Sequence, residues 1–238
     1  MTDKSGTQRA GLRRIAALLV VSAFVAGCQP AGGGEATSGG GGPMLATAAD
    51  TIAHGRGVIL HHGCGDCHGG GDNPAAPNFL VGWREGTEDT LFAAAFKIPT
   101  PMGVFQTRPR NLTPDNETGL GRFTERQIFN ALRFGLRPGE TPDVEITSTT
   151  PGQGNFPANP KYLAPPMPWP AWRHMPDVDL WAIAAYLKRG VKPQTNKVAD
   201  SEGPPDFWAG IYNQVFNVGA TAVTPAFPTD REQAPPPR

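Results

Sequence analysis

Apolar residues recur at the three- and four-residue spacing of a helix face in four stretches of this 238-residue chain. Nowhere do they alternate as a convincing strand would. Residues 51–62, TIAHGRGVILHH, predict a short helix ending at Gly63, with His61 and His62 closing its last turn. Residues 88–97, EDTLFAAAFK, put Leu91, Phe92, Ala95 and Phe96 on one face, with Thr87 placed as cap. Thr124 and Gln127 form a T-x-x-Q capping box ahead of ERQIFNALRF, residues 125–134, which stops at Gly135. The clearest pattern is DVDLWAIAAYLKRG, residues 177–190. There Asp177 reads as the cap, Leu180, Ile183, Ala184 and Leu187 as the buried stripe, and Lys188 and Arg189 precede a terminal Gly190. Pro99, Pro101, Pro109 and Pro114 make residues 98–121 a loop, and residues 137–176 are rich enough in Pro and Gly to be irregular. Beyond about residue 197 the chain turns polar and proline-rich. FWAGIYNQVF, 207–216, suits one packed turn, and REQAPPPR, 231–238, reads as disordered. Four short helices carry too little apolar stripe to organise about 150 residues, so the centre needs something other than side chains.

One apolar run, Ile15–Ala26, is continuous rather than periodic. It follows Lys4, Arg9, Arg13 and Arg14 and falls short of the roughly 20 residues a bilayer core requires. It reads as the apolar region of a signal peptide, residues 1–27. Val25-Ala26-Gly27-Cys28 resembles a bacterial lipoprotein cleavage box. That resemblance implies that Cys28 is acylated and becomes the first mature residue. Arg13-Arg14 lacks the rest of a twin-arginine motif. Gln29, in place of an aspartate after the cysteine, leans the expected location to the periplasmic face of the outer membrane. Seven of residues 29–49 are glycine, so 28–49 reads as a lipidated, flexible tether spanning about 25 Å. Loss of residues 1–27 removes those four basic residues and Asp3 and turns a formally neutral chain mildly acidic. Neither form has the basic footprint of a nucleic-acid binder.

Cys28 thus accounts for one of three cysteines; the others, Cys64 and Cys67, lie in HHGCGDCHGG, residues 61–70. A structural zinc site needs four ligands, and the chain has no second Cys-x-x-Cys and no His pair at the usual spacing. A thioredoxin-like dithiol expects a βαβ context that the pattern does not supply. The third reading is c-type haem attachment: two thiols bond the vinyl groups, and His68 turns its imidazole to the iron. One covalent haem c would also supply the missing apolar centre. For the second axial position, Met167 in APPMPWP is the candidate. Pro165, Pro166, Pro168 and Pro170 stiffen that loop and present a thioether at low entropic cost. Met102, in PTPMGVF, is the alternative, and Met175 reads as a packing residue. Arg84, Arg108, Arg110, Trp169 and Trp172 are candidate partners for haem propionates, or else ordinary surface charge and core aromatics. Asn111-Leu112-Thr113-Pro114-Asp115 has Asx and proline turn chemistry, and Asp115, Asn116 and Glu117 lack calcium-loop spacing.

GRGVILHHGCGDCH, NLTPDNETGLGRFTERQIFNALRFG and PPMPWPAWRHMPDVDLWAIAAYLKRG stand in the order of three blocks of the class I-type, mono-haem cytochrome c family. Together they most resemble the mono-haem periplasmic cytochromes and the cytochrome domains of bacterial dehydrogenase complexes. The resemblance covers roughly residues 50–190. It implies an all-α, cytochrome c-like fold of a few short helices and long loops wrapped around one covalent haem. It also implies Cys64 and Cys67 as attachment points, His68 as proximal ligand, Met167 as distal ligand, and a crossing of the first and last helices with Gly57 against Trp181 or Tyr186. The domain would occupy 50–195 and a Pro-rich extension 196–238, with the stretch 137–164 departing from the family pattern. The expected function is one-electron transfer with no catalysis by the chain itself, between redox partner proteins, at a membrane held through the N-terminal lipid. The alternatives are a haem-containing subunit of a periplasmic dehydrogenase or oxidase complex, and a five-coordinate haem enzyme or sensor.

Overall fold

The computed structural model describes residues 47–86, 96–100 and 103–203. The signal peptide, Cys28, most of the tether, Met102, the stretch 87–95 and the extension beyond 203 lie outside the described residues. The helices are α1 (Ala48–His61), α2 (Cys64–His68), α3 (Glu125–Phe134), α4 (Trp169–Trp172) and α5 (Asp177–Arg189). One antiparallel hairpin joins β1 (Lys97–Thr100) to β2 (Gly103–Gln106).

α1 starts earlier than the pattern from Thr51 implied, because Thr47 and Asp50 form a reciprocal capping box. α3 has the bounds, the Thr124–Gln127 box and the Gly135 stop that the sequence predicts. α5 also has its predicted extent and ends at Gly190, but Pro176 is its cap and no side chain bonds there. Asp177 enters the helix and pairs with buried Arg133 of α3 instead. Every residue from Leu180 to Leu187 is buried, so α5 is enclosed on all sides rather than along one stripe.

The hairpin departs from the all-α expectation. Pro99 argued for loop, yet a proline is tolerated in a short edge strand. Ile98 stands opposite Phe105 in the register, and Phe105 is buried. At the end of β2, Gln106 and Glu202 exchange both backbone hydrogen bonds at 2.8 Å, which brings the chain after α5 back against the hairpin. Residues 137–176 are largely irregular as expected, but they contain the 3-10 turn Pro138–Glu140, a bridge from Tyr162 to Leu136 and the one-turn helix α4, which the proline-rich pattern did not announce.

The main core joins Ile59 of α1, Ile128, Phe129 and Leu132 of α3, and the buried face of α5 to Cys64, Phe79, Leu80 and Met175. Phe129 stacks on Trp181 with centroids 4.4 Å apart. The guanidinium of Arg126 lies 4.4 Å over the same indole. α1 and α5 do cross at a glycine, but at Gly55 rather than Gly57. A Cβ on Gly55 would sit 1.9 Å from the Ala182 carbonyl oxygen, whereas one on Gly57 would meet nothing within 4 Å. No helix among the described residues is long and apolar enough to cross a membrane.

Candidate functional site

The Cys-x-x-Cys-His motif forms one short helix, α2, directly after α1. One turn of helix sets Cys64 and Cys67 on the same side. Neither thiol is in a disulfide; Cys64 is buried and Cys67 exposed. Burial pushes the Cys64 thiol up to about 12, and Cys67 and Asp66 add to that against an opposing backbone hydrogen bond. Cys67 is raised too, first by burial and then by Asp66. Both sulfurs are therefore neutral thiols near pH 7.

His68 closes the motif. Its Nδ1 lies 2.7 Å from the carbonyl oxygen of Arg110. A carbonyl only accepts, so Nδ1 carries the hydrogen and the lone pair is on Nε2. Burial lowers the imidazole's pKa, with the Arg110 carbonyl opposing, and keeps the ring neutral. The backbone around the ring is fixed as well. Gly82 N–H donates to the His68 carbonyl at 2.7 Å and Leu80 N–H to that of Gly69 at 2.9 Å. A second line of chain, 109–112, lies alongside 80–83: Trp83 N–H donates to Pro109 O and Leu112 N–H to Leu80 O, each at 2.9 Å.

Met167 is half-buried and packs against two clusters, the main core that contains Cys64 and a second core built on Phe105 and Trp169. Its loop is held from below. Trp169 is 1% exposed and stacks on Tyr162 at 5.7 Å with planes 4° apart. Leu163 N–H donates to Gly135 O at 2.6 Å. Gly135 has φ +69°, and a Cβ there would enter the Trp169 ring at 2.3 Å, so the end of α3 and the Met167 loop fit only around a glycine. Met175 is buried in the core. Trp172 is half-buried and meets His62 edge-on at 6.1 Å; His62 Nδ1 also lies 2.9 Å from the Val58 carbonyl and closes α1.

Of the candidate propionate partners, Arg108 and Arg110 are engaged by the chain after α5. Arg108 reaches Asp200 O and Glu202; Arg110 reaches Val198 O, Ala199 O and Asp200. The Asn111–Asp115 turn forms as its residue types imply. Thr113 N–H donates to Asn111 Oδ1 at 2.9 Å, and Asp115 accepts from the N–H and hydroxyl of Thr118 at 2.7 Å each. Two important groups carried no sequence signal. One is the Arg110 carbonyl, which belongs to backbone; the other is Asn196, an ordinary polar residue in a polar stretch. Its Nδ2 donates to Val81 O at 2.8 Å and to Trp83 O at 2.9 Å.

The residues present fit a c-type haem: two neutral thiols on one turn, a neutral imidazole with its lone pair on Nε2, and apolar neighbours. Phe79 and Leu80 are buried in the cluster of Cys64, and half-exposed Leu112, Met167 and Trp172 border it. Among the described residues no three His, Cys, Asp or Glu side chains converge to hold a metal ion.

No family model matches the chain. Known proteins do. It is 32% identical over 148 residues to the cytochrome c subunit of alcohol dehydrogenase (quinone) from Gluconacetobacter polyoxogenes, covering 60% of this chain and 27% of that protein. It is 30% identical over 144 residues to the gluconate 2-dehydrogenase cytochrome c subunit of Pantoea cypripedii, covering 58% and 27%. To the fructose dehydrogenase cytochrome subunit of Gluconobacter japonicus it is 27% identical over 144 residues, covering 60% and 22%. The chain thus matches about a quarter of the length of these relatives. Over the matched region it is homologous to cytochrome c subunits of bacterial dehydrogenases, as the order of its three sequence blocks implied.

Proposed function

We propose that this chain is an electron carrier with one covalent haem c, axially bound by His68 and Met167. The observation that carries the proposal is the anchored imidazole. His68 follows directly on two neutral thiols, and its Nδ1–H is committed to the Arg110 carbonyl at 2.7 Å, which leaves Nε2 as the ligating nitrogen. In this reading Cys64 and Cys67 would hold the haem through sulfur at its vinyl groups, and Met167 would hold the iron with His68 through its thioether. The haem supplies reversible one-electron exchange between ferric and ferrous iron. The chain's part is to hold both ligands, keep water from the apolar side and set the potential; methionine ligation sets it high. With both axial positions filled no substrate reaches the iron, so the chain passes electrons rather than transforming a molecule.

The lipoprotein-like box at Cys28 and the glycine-rich stretch after it support an exported carrier tethered by a lipid at the periplasmic face, the outer membrane favoured by Gln29. The names of the relatives support a second, compatible reading, in which the donor is the catalytic subunit of a dehydrogenase and this chain is its cytochrome subunit.

The test is optical. Protein matured with haem should keep it after denaturation, show a methionine–iron charge-transfer band when oxidised, and ignore CO when reduced. Met167→Ala should keep the covalent haem, lose the band, gain CO binding and lower the potential. CO binding by the fresh native protein would sink the six-coordinate reading, and loss of the band in Met102→Ala alone would move the distal ligand to Met102.

A further inference from the structure

The stretch following α5 runs back across the molecule and touches every segment that holds His68. Asn196 bridges the carbonyls of Val81 and Trp83, the residues on either side of Gly82, whose N–H donates to the His68 carbonyl. Gln194 exchanges hydrogen bonds with the residues just after Arg110: its carbonyl accepts from Asn111 Nδ2 at 2.8 Å and Thr113 Oγ1 at 3.0 Å, and its N–H donates to Thr113 Oγ1 at 3.1 Å. Asn196 N–H adds a bond to Thr118 Oγ1 at 2.9 Å. From outside, the Arg110 guanidinium grips Val198 O at 3.0 Å and Ala199 O at 3.2 Å. Farther on, Arg108 holds Asp200 O, and Glu202 pairs with Gln106 of β2. Residues 194–202 therefore span both lines of chain that bond His68, 80–83 at its backbone carbonyl and 106–113 at its imidazole.

We propose that residues 194–202 are a strap that positions His68, acting through the Arg110 carbonyl and the 81–83 backbone, and that Asn196 is its principal positioning residue. The strongest links are the side-chain bonds of Asn111, Thr113 and Asn196 to backbone, which are partly buried. The Arg110–Asp200 ion pair is solvent-exposed on both sides and contributes little. The chemistry follows from the direction of the His68 bond. An Nδ1–H that donates to a well-placed carbonyl makes the opposite nitrogen more basic. A more basic ligand favours the ferric state and holds the potential down. Slackening the strap lengthens that bond and raises the potential, with both ligands still in place. This inference rests on the haem reading above.

The experiment compares the full-length wild type with Asn196→Ala, Arg110→Gln and Gln127→Ala. The last removes a capping-box side chain on α3 and serves as a control for general loss of stability. Haem content is measured first, then midpoint potential, then hydrogen exchange at the Gly82 and Leu112 amides. The strap predicts near wild-type haem content, a higher potential with a several-fold shift of the oxidised-to-reduced ratio, and faster exchange at both amides. Asn196→Ala should show the larger change, Arg110→Gln a smaller one in the same direction, and Gln127→Ala neither. A potential that moves no further in Asn196→Ala than in Gln127→Ala overturns the proposal, as does unchanged exchange at the two amides. If Asn196→Ala fails to accumulate, Arg110→Gln carries the same test. A wild type that takes up no haem refutes the haem reading instead, and the exchange comparison still decides whether the strap steadies the segments around His68.

Discussion

Around His68 the chain is held by a dense set of directed hydrogen bonds, whereas around Met167 the shapes of rings add to a few backbone bonds such as Leu163 N–H to Gly135 O. The first region uses backbone amides of Leu80, Gly82, Trp83 and Leu112, the Arg110 carbonyl, and the side chains of Asn111, Thr113, Asp115 and Asn196. The second uses prolines, the Trp169–Tyr162 stack and the close seat of Gly135 under the indole. Hydrogen bonds fix an atom's direction, which the proposed role of His68 would need because only one imidazole nitrogen could face an iron. A thioether has no such demand: its sulfur offers lone pairs over a wide arc, and a stiff loop that fixes its position suffices. On the ligation proposed above, the two regions would differ because their ligands do.

The sharpest way to break this contrast is to remove the ring that supports the methionine loop. Trp169→Ala should cost about 3–5 kcal/mol, the usual range for deleting a buried tryptophan, measured by thermal or denaturant unfolding of the haem-bound protein. The damage should fall on one side. The methionine charge-transfer band should weaken while haem attachment and exchange at the Gly82 amide stay as they were. Equal loosening around His68 would mean that the two regions form one unit.

A smaller effect comes from the helix crossing that both regions share. Gly55→Ala drives a Cβ against the backbone of Ala182 and should cost about 1–3 kcal/mol. Gly57→Ala, two residues away, faces open space and should be neutral or stabilising by up to about 1 kcal/mol through helix propensity. Paired melting curves check both. If the two variants melt alike, the crossing point is misassigned.

That pair also shows where sequence reasoning stops. Capping at Thr124, the stop at Gly135, the extent of α5 and the Cys-x-x-Cys-His turn are local: each is decided by residues a few positions apart, and each is legible. Which of two glycines meets α5 depends on the register of a partner some 125 residues away, and nothing near Gly55 announces it. Asp177 reads as a cap until Arg133, from another helix, takes its carboxylate. The hairpin is hidden by Pro99, whose missing N–H is harmless on an edge. On the candidate site the side-chain chemistry of Cys64, Cys67, His68 and Met167 is visible in the residues themselves. Its supports are not, because they are carbonyls of Val81, Trp83 and Arg110 whose side chains say nothing about them.

The smallest predicted effect is a pH dependence confined to the hydrogen-bonded region. Asp115 accepts from the Thr118 hydroxyl and N–H, and from the Thr195 hydroxyl at 3.1 Å, so it ties the 111–118 turn to the strap. These bonds, the Thr118 hydroxyl first, hold its carboxyl below the ordinary value of 3.8. A carboxylate depressed in the folded state adds stability that is complete above the unfolded value and lost as pH falls through the folded one. The turn should therefore stay closed at neutral pH and loosen only in acid below about 3.8. Hydrogen exchange at the Thr118 and Asn196 amides between pH 5 and pH 2.5, corrected for intrinsic rates, reads this directly (an interval of about one unit to either side of the ordinary carboxyl range). Asp115→Asn keeps an acceptor but has no charge to lose, so its protection should be lower at pH 5 and change less on acidification than that of the wild type. Identical acid profiles would show that Asp115 does not govern the link, and that the strap is held at this point by Asn111, Thr113 and Asn196 alone.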